Sequence, residues 1–191
     1  LVPQVLRRNF FFMDVFSAIK GRRSIRKYAS TPVARELIEK VVDAGRWAPS
    51  SGNTQPVEVV VVTDPEKRAI MADVSGYAKY LKEAPVALVV CINLSRARSR
   101  YGELGVTYFA PLDAAVAIQN MMLAAYSLGL GTCWDSVFDK NKVRELIELP
   151  ENLEPFAIIA LGYPSENPNP PPRRPLKEIL HWEKYGNQPT D

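Results

Sequence analysis

"LDAAVAIQNMMLAAYSLGLG", Leu112 to Gly131, decides the fold. Its first part predicts an α-helix of about five turns, with Gly129 as the residue that ends it. The helix is apolar on nearly every side, so it belongs at the centre of the molecule or in a subunit interface.

The segments on either side are read by their period and their punctuation. "VEVVVVT" (57–63), "PVALVVCIN" (85–93) and "PFAIIALGYP" (155–164) are β-branched or continuous apolar runs and predict three strands. "GTCWDSVF" (131–138) reads as a short strand or a loop. Asp14 to Lys20 predicts a short helix stopped at Gly21, and Thr31-Pro32 reads as the N-cap and first turn of a helix that carries Leu37, Ile38, Val41, Val42 and Ala44. Asp64-Pro65 starts a helix running to about Val74, Tyr77 to Glu83 reads as a short helix, and Asp139 to Leu149 is amphipathic. Ser95 to Pro111 has no clear period and is expected to be a variable loop, a lid over a site. "NPNPPPRRP" (167–175) predicts extended polyproline-like chain. The tail from Leu176 to Asp191 is apolar enough to need cover from this subunit or a partner. This order of elements is α+β, since helices and strands do not alternate regularly enough for a doubly wound parallel sheet.

Composition narrows the class. The 191 residues suffice for one domain with a sizeable core, and 47% apolar with 24% charged residues is ordinary for a soluble globular chain. A net charge of +3 gives no argument for nucleic acid, and no apolar run approaches a membrane span. Residues 1–12 are not read as a signal peptide; "MDVFSAIKGRRS" from Met13 looks like a natural beginning, so they are expected to be an extension, with one domain over 13–191. Cys91 and Cys133 suggest reduced core thiols in a cytoplasmic protein. A single histidine, His181, speaks against a His-rich metal site, and no nearby nucleophile makes it a catalytic base.

Charge and hydrogen-bonding groups then gather in a few stretches. "GRRSIRKY" (21–28) crowds Arg22, Arg23, Arg26 and Lys27 around Ser24. Solvated cations beyond a helix C-terminus are the ordinary explanation. Alternation in extended chain gives another: Arg22, Ser24 and Arg26 share one face, and arginine forks with a hydroxyl suit phosphate. "APSSGNTQP" (48–56) holds Ser50, Ser51, Asn53 and Gln55, which make either a plain turn or an uncharged shelf for the edge of a heterocycle. "GLGTCW" (129–134) follows a helix and lacks a third glycine, which argues against a dinucleotide fingerprint. "PPRRPL" (171–176) adds Arg173 and Arg174 on stiff chain.

Together the segments "RRSIRKY" (22–28), "WAPSSGNTQPVEVVVV" (47–62), "LDAAVAIQNMMLAAYSLGLGTCW" (112–134), "LGYP", "RRPLKEIL" and "HWEKYG" resemble the FMN-dependent nitroreductase family, from about Met13 to Gly186. The resemblance implies a central mixed sheet flanked by helices in an intertwined homodimer, with the C-terminal tail on the partner subunit and FMN at the interface. By position, Arg22, Ser24 and Arg173 are expected on the phosphate with Arg23 and Arg174 as helpers, and Arg26 near the phosphate or the flavin N1/O2 side. Ser50, Ser51, Asn53 and Gln55 are expected from the other subunit, and Thr132, Cys133 and Trp134 along the opposite edge of the flavin. Some relatives carry a proline and a glutamate where this chain has Trp134 and Ser136. The implied activity is hydride transfer from NAD(P)H through flavin N5 to nitroaromatic, quinone or flavin acceptors by a ping-pong mechanism, without a catalytic side chain. The alternatives are a specialised member of the same scaffold (dehalogenase, flavin destructase or dehydrogenase) and a non-catalytic basic binding module.

Overall fold

Two strands covered on both faces organise the chain. A computed structural model describes residues 13–188, so the expected extension 1–12 and the last residues of the tail lie outside the described region. The strands are β1 (Val57–Val62), β2 (Val86–Asn93), β3 (Gly131–Asp135) and β4 (Leu153–Gly162), in the order β1-β2-β4-β3. The continuous apolar runs take the two inner places, and β2 is buried from Val86 through Ile92. Leu88 and Val90 face one layer, Val89 and Cys91 the other, as strand alternation requires.

The named strands pair antiparallel throughout, which corrects the expected mixed sheet. β2 and β3 do run in the same direction, but β4 lies between them and faces each in the opposite sense. The parallel contact that does occur is the isolated bridge between Ser24 and Thr132.

Helices α1 (Val15–Gly21), α2 (Arg35–Arg46), α3 (Pro65–Asp73), α4 (Leu94–Leu104), α5 (Ala110–Ser127) and α6 (Lys140–Leu146) surround the sheet. α5 is the long apolar helix, ended by Gly129 at φ 77°. It packs with α2 on the layer that holds Val41, Ile118, Met121, Leu88 and Ile159. Gly45 of α2 leaves room for the Met121 side chain, which a Cβ there would crowd. The opposite layer holds Met71 of α3 and Val143 of α6 with Leu81, Val89 and Ile158. One strip of α5 has no cover among the described residues, since Leu112 and Val116 are 50% and 42% exposed.

Asp14, Asp64 and Asp139 each accept hydrogen bonds from the first backbone N–H groups of α1, α3 and α6, as expected of N-caps. Thr31-Pro32 does not start α2. Val33 is drawn into the core, which keeps the chain extended through Ala34 (ψ 141°), and the helix begins at Arg35 without a side-chain cap. The short helix near Tyr77 is a 3-10 turn, Lys79–Lys82, and the buried Arg68 of α3 donates to the Leu81 and Ala84 carbonyls around it.

The expected loop at 95–111 is helical: α4 is followed by a π turn, Gly105–Phe109, that runs into α5. Its period was obscured because the run contains two breaks, left-handed Gly102 (φ 56°) and the π turn. Gly105 lies against the backbone of α4, and a Cβ there would overlap the Ala97 carbonyl oxygen. Backbone cannot step aside as a side chain can, so Gly105→Ala is expected to cost about 1–3 kcal/mol, read as a lower denaturant midpoint. An unchanged midpoint would mean that α4 and the π turn separate freely.

Candidate cofactor site

The stretch 21–28 leaves α1 at Gly21 and lies in extended form against the sheet. Ser24 bridges Thr132, and Ile25 N–H donates to the Thr132 carbonyl at 2.9 Å. Further on, Tyr28 bridges Pro164 and Ala29 N–H donates to the Tyr163 carbonyl at 2.9 Å. Ile25 and Tyr28 are buried in the core, so the polar residues between them face outward. Glu166, which sequence reasoning did not single out, accepts from the backbone N–H groups of Arg26 and Lys27 and fixes the segment from outside.

This placement gathers the arginines. Arg22, Arg23, Ser24, Arg26 and Arg173 line one pocket of about 350 Å³, with Pro168, Asn169 and Pro171 as its far wall. Alternation predicts that Arg23 and Lys27 point elsewhere; Lys27 does not line the pocket, but Arg23 does. Asn169 was hidden in the proline-rich run, read from sequence only as stiff chain. Arg23 divides its role, because its Nη1 also donates to the Lys20 carbonyl at 2.7 Å and the Arg22 carbonyl at 2.8 Å. Arg174 turns away to Glu178, 3.1 Å from its carboxylate.

Arg22 bears an electrostatic cost in this pocket. Among the described residues its Nη1 is buried without a hydrogen-bond partner. Burial first, then the charges of Arg23 and Arg173, hold its pKa below the usual arginine value. An unpartnered buried donor beside like charges is costly, and an anion in this pocket would satisfy both.

The loop 50–55 is built differently. Ser51–Asn53 forms one 3-10 turn, and Gly52, Asn53 and Gln55 all have left-handed backbones (φ 57°, 56° and 48°). The serines mostly hold the loop: Ser50 Oγ accepts from Gln55 N–H at 3.0 Å, while Ser51 donates its N–H and hydroxyl to Asp113 at 2.9 and 3.0 Å. The Asn53 and Gln55 amides are exposed and paired at 3.2 Å. Asp113 is the residue that sequence reasoning missed here. It is buried at the start of α5, and its Oδ2 has no partner among the described residues; a lone carboxylate in an apolar helix was the available signal. Ser50, Gln55 and Asp113 border a pocket of about 390 Å³ between α2, β1 and α5. It has no residue in common with the arginine pocket, so within one chain the two groups stand apart.

Of Thr132, Cys133 and Trp134, Thr132 lines a small cleft with Arg22, Arg23 and Glu166, while alternation gives Trp134 the same face two residues further along and Cys133 the other. Trp134 packs at the α2–α5 layer and donates from Nε1 to Ser136 Oγ at 2.6 Å. Cys133 points into the opposite layer among core residues. Burial pushes its thiol pKa up, against the opposing effects of a Tyr80 hydrogen bond and the Arg26 charge. His181 packs tilted against Tyr185 in the tail, ring centres 4.5 Å apart and planes at 48°.

The family model described as "Nitroreductase family" matches residues 19–78 and 72–163. A protein of Methanothermobacter thermautotrophicus is 41% identical over 179 residues, 91% of this chain and 88% of its own length. The FMN reductase [NAD(P)H] of Bacillus subtilis is 32% identical over 92% of this chain and 76% of its own. Among solved structures, the NADPH:FMN oxidoreductase from Vibrio harveyi complexed with NAD+ superposes with a TM-score of 0.81 at 32% identity, covering 92% of this chain and 79% of that one. The chain belongs to the nitroreductase family.

The thiols give a direct test of the packing around β2 and β3. Burial pushes Cys91 from an ordinary value of 9.0 up to about 12. A thiol raised in this way supports the fold fully below its unfolded pKa, and that support is lost as pH climbs towards the folded value. The expected result is that iodoacetamide at pH 8 labels neither Cys91 nor Cys133 in the folded protein, and that stability falls between pH 9 and 12. Rapid labelling at pH 8 would show that these layers open readily.

Proposed function

We infer that this chain is an FMN-dependent NAD(P)H oxidoreductase. The observation that carries the reading is the unpartnered, buried Arg22 Nη1 in a pocket shared with Ser24 and Arg173. A phosphomonoester with a charge of about −1.5 to −2 near neutral pH fits that donor set. The relatives' names, FMN reductase and NADPH:FMN oxidoreductase, supply the flavin and the reductant.

When bound, FMN supplies two-electron chemistry, taking a hydride at N5 and passing it to a second substrate. The chain's own residues bind and orient. Arg22, Ser24 and Arg173 hold the phosphate, with Arg23 beside them. Arg26 places a cation towards the N1/O2 edge, and Thr132 lines the neighbouring cleft. Ser50, Asn53 and Gln55 belong to a second copy of the chain, which accounts for their separation from the arginine pocket. No side chain would be required to move a proton, and bound FMN would supply exchange with NAD(P)H and an acceptor in turn. Acceptors of the nitroaromatic, quinone and free-flavin classes suit such an exchange. Two buried, unpaired cysteines suit a reducing compartment such as the cytoplasm. No helix among the described residues is long and apolar enough to cross a membrane.

The second copy has a physical warrant. Leu176, Ile179, Trp182 and Tyr185 of the tail are all more than half exposed, as is Tyr108 beside the bare strip on α5. Apolar surface of this extent calls for a partner, and the tail of one protomer on the body of the other covers it. Sedimentation is expected to give a homodimer down to low concentration; a stable folded monomer would remove the two-chain site.

The cofactor is tested by titration. Protein denatured after purification is expected to release FMN and not FAD. Arg22→Ala is expected to weaken FMN by roughly ten- to a hundredfold, about 1.5–3 kcal/mol for a charge-assisted bond. Lys27→Ala, outside the pocket, changes it much less, and riboflavin binding is indifferent to Arg22→Ala. Equal losses of FMN in the two variants would reduce the pocket to a diffuse basic patch.

A further inference from the structure

α4, expected from the sequence as part of a variable loop, grips the 50–55 loop by its carbonyls. Arg96 Nε donates to the Thr54 carbonyl at 3.0 Å and the Gln55 carbonyl at 2.9 Å. One turn further on, Arg100 Nη1 donates to the Gly52 carbonyl at 3.3 Å. Asp113 of α5 holds Ser51 from the other side. Arg96 is itself fixed at the start of the helix: its N–H donates to Asn93 Oδ1 at 3.1 Å, and Asn93 N–H donates to the Pro56 carbonyl at 2.7 Å, just past the loop.

The loop between these grips has a shape it would not keep alone. Asn53 and Gln55 carry side chains on left-handed backbone, an arrangement that persists only where the surroundings impose it. Gly52 is needed for its φ and also for space, because a Cβ there would overlap the Arg100 side chain. The backbone N–H groups of Asn53 and Thr54 are consumed inside the turn, by the carbonyls of Ser50 and Ser51 at 2.9 and 3.2 Å. What the loop offers outward is the Asn53–Gln55 amide pair.

We propose that Arg96 and Arg100 are positioning residues for flavin recognition. They lock the loop so that the Asn53–Gln55 amide pair stands ready for the donor–acceptor edge of the ring. The proposal rests on the reading of that loop as a flavin contact. Neither arginine lines the arginine pocket, so neither acts through charge on the phosphate, while Arg96 also lines the pocket bordered by Ser50 and Gln55. A loop ordered beforehand spares the binding step the cost of ordering it.

The test uses the full chain freed of flavin, titrated with FMN and with riboflavin below each variant's unfolding temperature. Arg96→Ala is expected to weaken both flavins by about tenfold, leaving their ratio as in wild type. It also shifts the visible band of the bound flavin, which a role in stability alone would not do. Arg96→Lys keeps a donor near the carbonyls and recovers part of the loss. Arg100→Ala acts in the same direction with a smaller effect, and these two variants carry the test if Arg96→Ala fails to fold. Unchanged affinity for both flavins in all three variants overturns the proposal. So does a loss confined to FMN, which would mean that the arginines act on the phosphate. Arg22→Ala run in parallel separates the two levels: if it leaves FMN binding intact, the phosphate pocket itself is wrong, whatever α4 does.

Discussion

The extended pairing of residues 24–29 along the margin of the sheet is the constraint on which the rest depends. Ser24 and Ile25 meet Thr132 at the start of β3, while Tyr28 and Ala29 meet the chain just beyond β4. Two apolar side chains in this short segment enter the core and leave the arginines no inward option. The end of β4 then delivers the proline-rich run, with Arg173, to the same place. Segments far apart in sequence thus converge because both are strapped to one pair of neighbouring strands.

That convergence has an electrostatic cost the protein accepts. Arg22 loses water and faces two like charges, and nothing among the described residues satisfies its buried nitrogen. A structure that assembles such a cluster leaves it short of an anion. Arg174, one position from Arg173, shows the contrast: with Glu178 in reach it forms an ordinary exposed ion pair of little energetic weight.

Much of this was legible before any coordinates. The apolar runs named β1, β2 and β4, Asp14, Asp64 and Asp139 named three helix starts, and alternation separated Lys27, though not Arg23, from Arg22 and Ser24. The failures were of two kinds. Local signals were overridden where burial mattered more, as at Thr31-Pro32, where Val33 had to reach the core. Periodic signals were lost where backbone irregularity broke the phase, as between α4 and α5. The site followed the same division. Arginines and loop amides announced themselves by type, whereas Asp113, Glu166 and Asn169 act through tertiary placement that no spacing encodes. Thr132, Cys133 and Trp134 looked like a unit in sequence, but a strand must send neighbours to opposite faces.

The unpartnered Arg22 nitrogen has a consequence for how the protein survives outside its working state. An anion that occupies the pocket binds the folded chain and has no comparable site on the unfolded one. Stability therefore rises with the logarithm of that anion's concentration above its dissociation constant. Under the proposed reading, a cell short of flavin would hold this protein nearer its unfolding threshold and lose it sooner to proteolysis. Cofactor supply would then set the abundance of the enzyme as well as its activity, with no dedicated sensor beyond one arginine left without a partner.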